Sequence, residues 1–199
     1  MSSWDRYQRY VYASEELGLR LDISRMAFDD DFFTSFAPRL ERAYDAMAAL
    51  EGGAIANPDE DRRVGHYWLR ASHLAPEVEM RQAIEQTVER VTSFAAAVHA
   101  GEVSPPGGGR FTDVLAIGIG GSALGPQLAA DALGHPDRDA MALHFFDNTD
   151  PDGFDRVLAT LGDRLATTLV MVVSKSGSTV ETVNGLMVAQ RAFRNRGLD

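Results

Sequence analysis

No cysteine occurs among the 199 residues, which excludes disulfides and thiolate metal sites and leaves the redox compartment open. No apolar run approaches the ~20 residues that a membrane-spanning helix needs. The longest runs, around residues 114–119 and 169–173, are strand-sized. The opening Met1-Ser2-Ser3-Trp4-Asp5-Arg6 lacks the basic-then-apolar order of a secretory signal, so a cytoplasmic location is expected. Positive charge is scarce: 19 Lys and Arg against 29 Asp and Glu leave a net charge of −10. Such a surface repels nucleic acid and anionic lipid, and neither is expected as a partner. No GxxxxGK[ST] spacing occurs, which removes a Walker-type loop. The histidines (His66, His73, His99, His135 and His144) show no HExxH or comparable pairing. Asp29-Asp30-Asp31 reads as a solvated turn or helix start rather than a metal site. Neither a metal nor a cofactor is expected.

What is present is a core-forming composition, 45% hydrophobic and 24% charged. Residues 1–103 read as a helical segment. Leu40, Ala43, Tyr44, Met47 and Leu50 form a helical stripe over residues 39–51, closed by Gly52-Gly53. Asn57-Pro58-Asp59-Glu60 predicts a second helix, with proline in the first position, acids at the positive end of the dipole and His66 inside it. The clearest helix spans residues 76–100, with Met80, Ile84, Val88, Val91, Ala95 and Val98 on one face and Gly101 as its stop. Ser104-Pro105-Pro106-Gly107-Gly108-Gly109 then reads as a linker.

From residue 110 the pattern becomes strand, glycine turn, helix. Residues 114–119 form a continuous apolar run, which fits a strand buried on both faces. A short helix is predicted over 126–133, a strand over 143–146, a helix over 154–161, a strand over 168–173 and a helix over 180–196. Strand ends near Ile119, Asp147 and Ser174 are 28 and 27 residues apart, close to the ~30 residues of a strand–helix–strand unit. The expected class is α/β: a helical amino-terminal segment, then residues 110–199 as part of a doubly wound parallel sheet with three strands present. Its ligand site should lie at the carboxyl ends of the strands.

Two loops at those ends carry the chemistry. In Gly118-Ile119-Gly120-Gly121-Ser122-Ala123-Leu124-Gly125-Pro126, bare glycines let backbone amides approach an anion. Ser122 adds a hydroxyl at the start of a helix. In Ser174-Lys175-Ser176-Gly177-Ser178-Thr179-Val180-Glu181-Thr182, hydroxyls lead from a buried strand into a helix. A phosphate monoester needs several donors on three oxygens, and hydroxyls plus helix amides supply them with little net charge. Ser174, Ser176 and Thr179 are the candidate phosphate contacts, while Lys175 either adds a point charge or points to solvent. Ser178 and Glu181 have the Ser-x-x-Glu spacing of a capping box, which needs only the helix's own amides.

Gly118-x-Gly120-x-x-Ala123 also satisfies the dinucleotide pattern, with Asp147 as a ribose-binding acid. That alternative places Asp147 later than the usual ~20-residue offset and leaves the hydroxyl-rich loop unexplained. A binding module without catalysis, taking a phosphorylated ligand such as a sugar phosphate, is a further alternative.

The two loops together resemble the sugar isomerase (SIS) fold and, more narrowly, the glucose-6-phosphate isomerase family in its bacterial form. Asn57-Pro58-Asp59-Glu60-Asp61-Arg62-Arg63-Val64-x-His66-Tyr67-x-Leu69-Arg70 is similar to that family's segment ahead of the sugar-phosphate domain. The resemblance implies interconversion of glucose 6-phosphate and fructose 6-phosphate, a step of glycolysis and gluconeogenesis. It implies that Gly121 and Ser122 lie near the sugar, and that the stretch Ser174, Lys175, Ser176, Gly177, Ser178, Thr179 holds the substrate. Ser174, Ser176 and Thr179 would grip the phosphate. Ala123 departs from relatives that carry an acid there. The family's glutamate base, and the histidine, lysine, arginine and glutamine that assist it, come from later regions, so no catalytic residue is assigned in these 199. The chain is expected to be the amino-terminal portion of such an enzyme, inactive alone and homodimeric when whole.

Overall fold

The computed structural model describes residues 2–29 and 31–198, which form two compact units divided between Glu85 and Gln86. In the first unit, helix α1 (Ser3–Tyr10) is closed by a capping box. Ser2 Oγ accepts from the Asp5 N–H, and the Asp5 carboxylate accepts from the Ser2 N–H. Strands β1 (Val11–Ser14) and β2 (Leu19–Asp22) then pair antiparallel, from Val11 opposite Asp22 to Ser14 opposite Leu19. Helix α2 (Phe32–Glu51) begins seven residues before its apolar stripe suggested and carries Pro38 within it. Asp29 and Asp31 lie ahead of α2; Asp30 is outside the described residues.

The segment after α2 corrects the helical expectation. Strands β3 (Ile55–Asn57) and β4 (Arg62–Arg63) form a second hairpin, and Asn57-Pro58-Asp59-Glu60 is its turn rather than a helix start. Asn57 Oδ1 accepts from the Glu60 N–H at 3.2 Å, and Asp61 takes a positive φ of 50°. Side chains that cap helices close turns by the same bond, and no apolar stripe follows here to decide for a helix. His66 accordingly sits in a turn, not a helix. Trp68 is buried beside it and donates its indole N–H to the Glu51 carbonyl at 3.1 Å. Helix α3 (Val78–Ala100) runs across the division between the units.

The second unit holds a three-stranded parallel sheet of β5 (Asp113–Ile117), β6 (Ala142–Phe146) and β7 (Thr168–Val172), in the order β6-β5-β7. The doubly buried apolar run is the central strand, and every residue of β5 is buried. Helix α4 (Gly121–Leu133) joins β5 to β6, and α5 (Pro151–Leu161) with a 3-10 turn joins β6 to β7. Helix α6 (Val180–Arg194) follows β7. The first crossover moves one way along the sheet and the second moves back past β5. Right-handed connections therefore place α4 and α5 on opposite faces.

Leu115 and Ile117 of β5 form the core with Phe146, Phe154, Leu161, Leu165, Ala189 and Ala192. Gly185 allows α6 to lie against the sheet, because a Cβ there would come within 2.7 Å of Ile117 Cγ2. Helix α4 starts five residues earlier than expected and takes Pro126 inside it, losing the bond a Pro126 N–H would have made.

Candidate functional site

Reversal of the chain between β6 and β7 makes the carboxyl ends of β5 and β7 a switch point, where open α/β sheets form their ligand crevice. The strands leave the sheet in step, with Ile117 opposite Val172 and the Val173 N–H donating to the Ile117 carbonyl at 2.8 Å. Both loops singled out in the sequence begin there.

In the first loop the glycines have separate reasons. A Cβ on Gly118 would stand 2.8 Å from Ser122 Cβ and 3.0 Å from the Val173 carbonyl oxygen, so packing requires glycine. Gly120 has φ 58° and ψ −125°, a conformation that a side chain disfavours. Gly121 has neither reason: its φ is not positive and a Cβ would meet nothing within 4 Å. The Ser122, Ala123 and Leu124 amides turn back to the carbonyls of Ile119 and Gly120. The Gly120 and Gly121 amides have no backbone acceptor among the described residues, as expected of groups ahead of a helix's first turn. Ser122 is half-buried at this helix start.

In the second loop the structure brings Ser174, Ser176 and Thr179 together. Thr179 Oγ1 lies 3.5 Å from Ser174 Oγ and 3.3 Å from Ser176 Oγ. The Gly177 N–H donates to Ser174 Oγ at 3.0 Å, and the Ser178 N–H to Ser176 Oγ at 3.2 Å. Gly177 closes the turn at φ 73°. The capping box is a correction: α6 is capped by Thr179, with no side-chain bond to the helix, and Ser178 Oγ donates to Ser176 instead. Starting the helix one residue later takes Ser178 out of cap register, and the crowded hydroxyls bond one another. The Thr179 hydroxyl thus faces the serines and leaves the first-turn amides of α6 uncapped by its side chain. Lys175, the chain's one lysine, is exposed, and Glu181 is half-buried.

Asp147, the acid of the dinucleotide alternative, is engaged within the chain. Its Oδ2 accepts from Gln127 Nε2 at 2.8 Å and its Oδ1 from Asn148 Nδ2 at 2.7 Å. Sequence reading missed Gln127 and Gly185, because neither stands in a motif and each matters only through a partner distant in the chain. No group of three or more His, Asp or Glu among the described residues is placed to hold a metal ion. No described helix is long and apolar enough to cross a membrane.

Fold and loops define an α/β protein with donor-rich turns on two adjacent parallel strands at a switch point. The chain belongs to the phosphoglucose isomerase family, whose model matches residues 22–199. It is 61% identical over 198 residues to the glucose-6-phosphate isomerase of Geobacter sulfurreducens, covering 98% of this chain and 37% of that protein. Its identity to the glucose-6-phosphate isomerase of Synechococcus elongatus is 57% over 195 residues, and to that of Cyanothece sp. 52% over 196, with the same coverage. The chain therefore spans little more than a third of the length of the curated relatives it matches.

Proposed function

We propose that this chain supplies the substrate-binding loops of an enzyme interconverting glucose 6-phosphate and fructose 6-phosphate. One observation carries the proposal: Ser174, Ser176 and Thr179 gather their hydroxyls at a helix start that no side chain caps, at the end of the strand paired with the one that leads into Gly120 and Gly121. A phosphate monoester offers three acceptor oxygens to such a cluster, and helix amides favour its charge. Ser174, Ser176 and Thr179, with the Gly177 and Ser178 turn and Lys175, take the phosphate. Gly121 and Ser122 take the sugar.

Aldose–ketose isomerisation moves a proton between C1 and C2 through an enediol, which needs a general base. No residue of this chain is assigned that role; the base comes from sequence outside these 199 residues. Residues 110–199 form the first part of a sugar-phosphate-binding domain, and residues 1–103 are the segment of helices and two hairpins ahead of it. The whole protein works in the cytoplasm as a homodimer, without nucleic acid.

Calorimetric titration of the full-length polypeptide tests the ligand. Fructose 6-phosphate binds and NAD does not, and Thr179→Ala weakens the hexose phosphate by roughly 1–3 kcal/mol. Unchanged affinity removes Thr179 from the site, and binding of NAD alone replaces the proposal with a dinucleotide domain.

A further inference from the structure

We propose that Gln127 and Asp147 are a positioning pair that holds the sugar-facing turn, Gly118 to Ser122, over the tip of the sheet. The inference rests on the proposed function. It starts from how little else holds α4. Ala123 is the one buried side chain of that helix among the described residues, Pro126 removes a helix bond, and Leu124 and Leu128 are exposed. Gln127, the seventh residue of α4 and half-buried, donates its amide to Asp147 at 2.8 Å.

Asp147 is itself fixed. Asn148 donates to its other oxygen at 2.7 Å, and Asn148 Oδ1 accepts from the Asp150 N–H at 2.8 Å. Asp150 in turn caps α5, accepting from the Asp152 and Gly153 amides. The loop after β6 is thus closed by its own bonds, and Gln127 ties α4 to that closed loop. A second tie reaches the same strand end, where the Gly118 N–H donates to the Phe146 carbonyl at 3.1 Å. Both ties act on the first turn and neither on the hydroxyl loop after β7.

That asymmetry sets the test. In the full-length polypeptide, affinities for fructose 6-phosphate and for inorganic phosphate are measured separately. Gln127→Ala is expected to weaken fructose 6-phosphate about three- to tenfold, the loss of one hydrogen bond's worth of positioning. Inorganic phosphate, held by the other loop, should stay within about twofold. Asp147→Asn keeps one acceptor oxygen for Gln127 and loses the one that takes Asn148, so it should fall between the parent and Asp147→Ala, whereas Asp147→Ala should match Gln127→Ala. Should Gln127→Ala fail to fold, Gln127→Asn keeps the amide and shortens its reach. Equal losses for both ligands, or no loss for either, overturn the positioning role while Thr179→Ala still weakens binding. If Thr179→Ala also leaves both affinities unchanged, the proposed function itself fails.

Discussion

The two ends of the parallel sheet handle polar groups in opposite ways. At the amino end of β5, Asp113 is 1% exposed and saturated. It accepts from Thr112 Oγ1 at 2.7 Å, His144 Nε2 at 2.8 Å and Arg164 Nε at 3.1 Å. Burial alone would raise this carboxyl, but the bonds from Thr112, His144 and Arg164 outweigh it and hold the group below the usual carboxylate range. At the carboxyl end, Thr179 Oγ1 stands 3.5 Å from Ser174 Oγ and 3.3 Å from Ser176 Oγ at a helix start with no side-chain cap. Donors that satisfy one another hold a fold together. Donors gathered loosely around an open helix end suit an acceptor from outside.

Substitution at the saturated end should have the largest effect on stability. Asp113→Ala leaves the His144 and Arg164 donors without their acceptor and should destabilise folding by roughly 2–3 kcal/mol. This is less than a fully buried pair would lose, because the Arg164 side chain is 52% exposed. Denaturant unfolding measures it; a loss below about 0.5 kcal/mol would remove the network from the fold's supports.

The same carboxylate gives a pH dependence of fixed sign. Its folded value lies below the ordinary 3.8, so its contribution is whole above that pH and falls away as acid protonates the folded group. Asp113→Asn should therefore flatten the acid limb of the stability curve below about pH 4. An unchanged acid limb would show that other carboxylates set it.

Gly121→Ala probes the open end. Its added Cβ meets nothing within 4 Å, so stability should stay within about 1 kcal/mol of the parent while hexose phosphate affinity falls. Equal affinity would mean that no ligand approaches there. The smallest effect is expected from Ser178→Ala. Its hydroxyl caps no helix and, among the described residues, reaches only Ser176, so stability should move by less than about 0.5 kcal/mol. A loss near the ~1 kcal/mol of a helix cap would restore the capping box.

Sequence patterns differ in how far they carry. A strand buried on both faces needs an unbroken apolar run, so β5 was legible, with burial along its whole length to match. The glycine and hydroxyl loops were legible because their composition serves little else at a strand-to-helix junction. The hairpin at residues 55–63 was not legible, since Asn57, Pro58 and Asp59 suit a turn as well as a helix start. The Ser178–Glu181 spacing was right for a box and the helix began one residue too late for it. A cap depends on register, and register is settled by how α6 seats Gly185 on Ile117.

By itself the sequence determined local matters: which segments could bury themselves, where glycine frees the backbone, and which short stretches hold clustered hydroxyls. Those follow from residue chemistry within a few positions, where neighbours along the chain are neighbours in space. The strand order β6-β5-β7 was decided only in three dimensions, and it makes the ends of β5 and β7 adjacent. So were the Asp113 network, across 31 and 51 residues, and the Gln127–Asp147 tie, across 20. Each joins groups brought together by strand pairing and by helices crossing the sheet, at separations where no spacing rule in a single sequence applies.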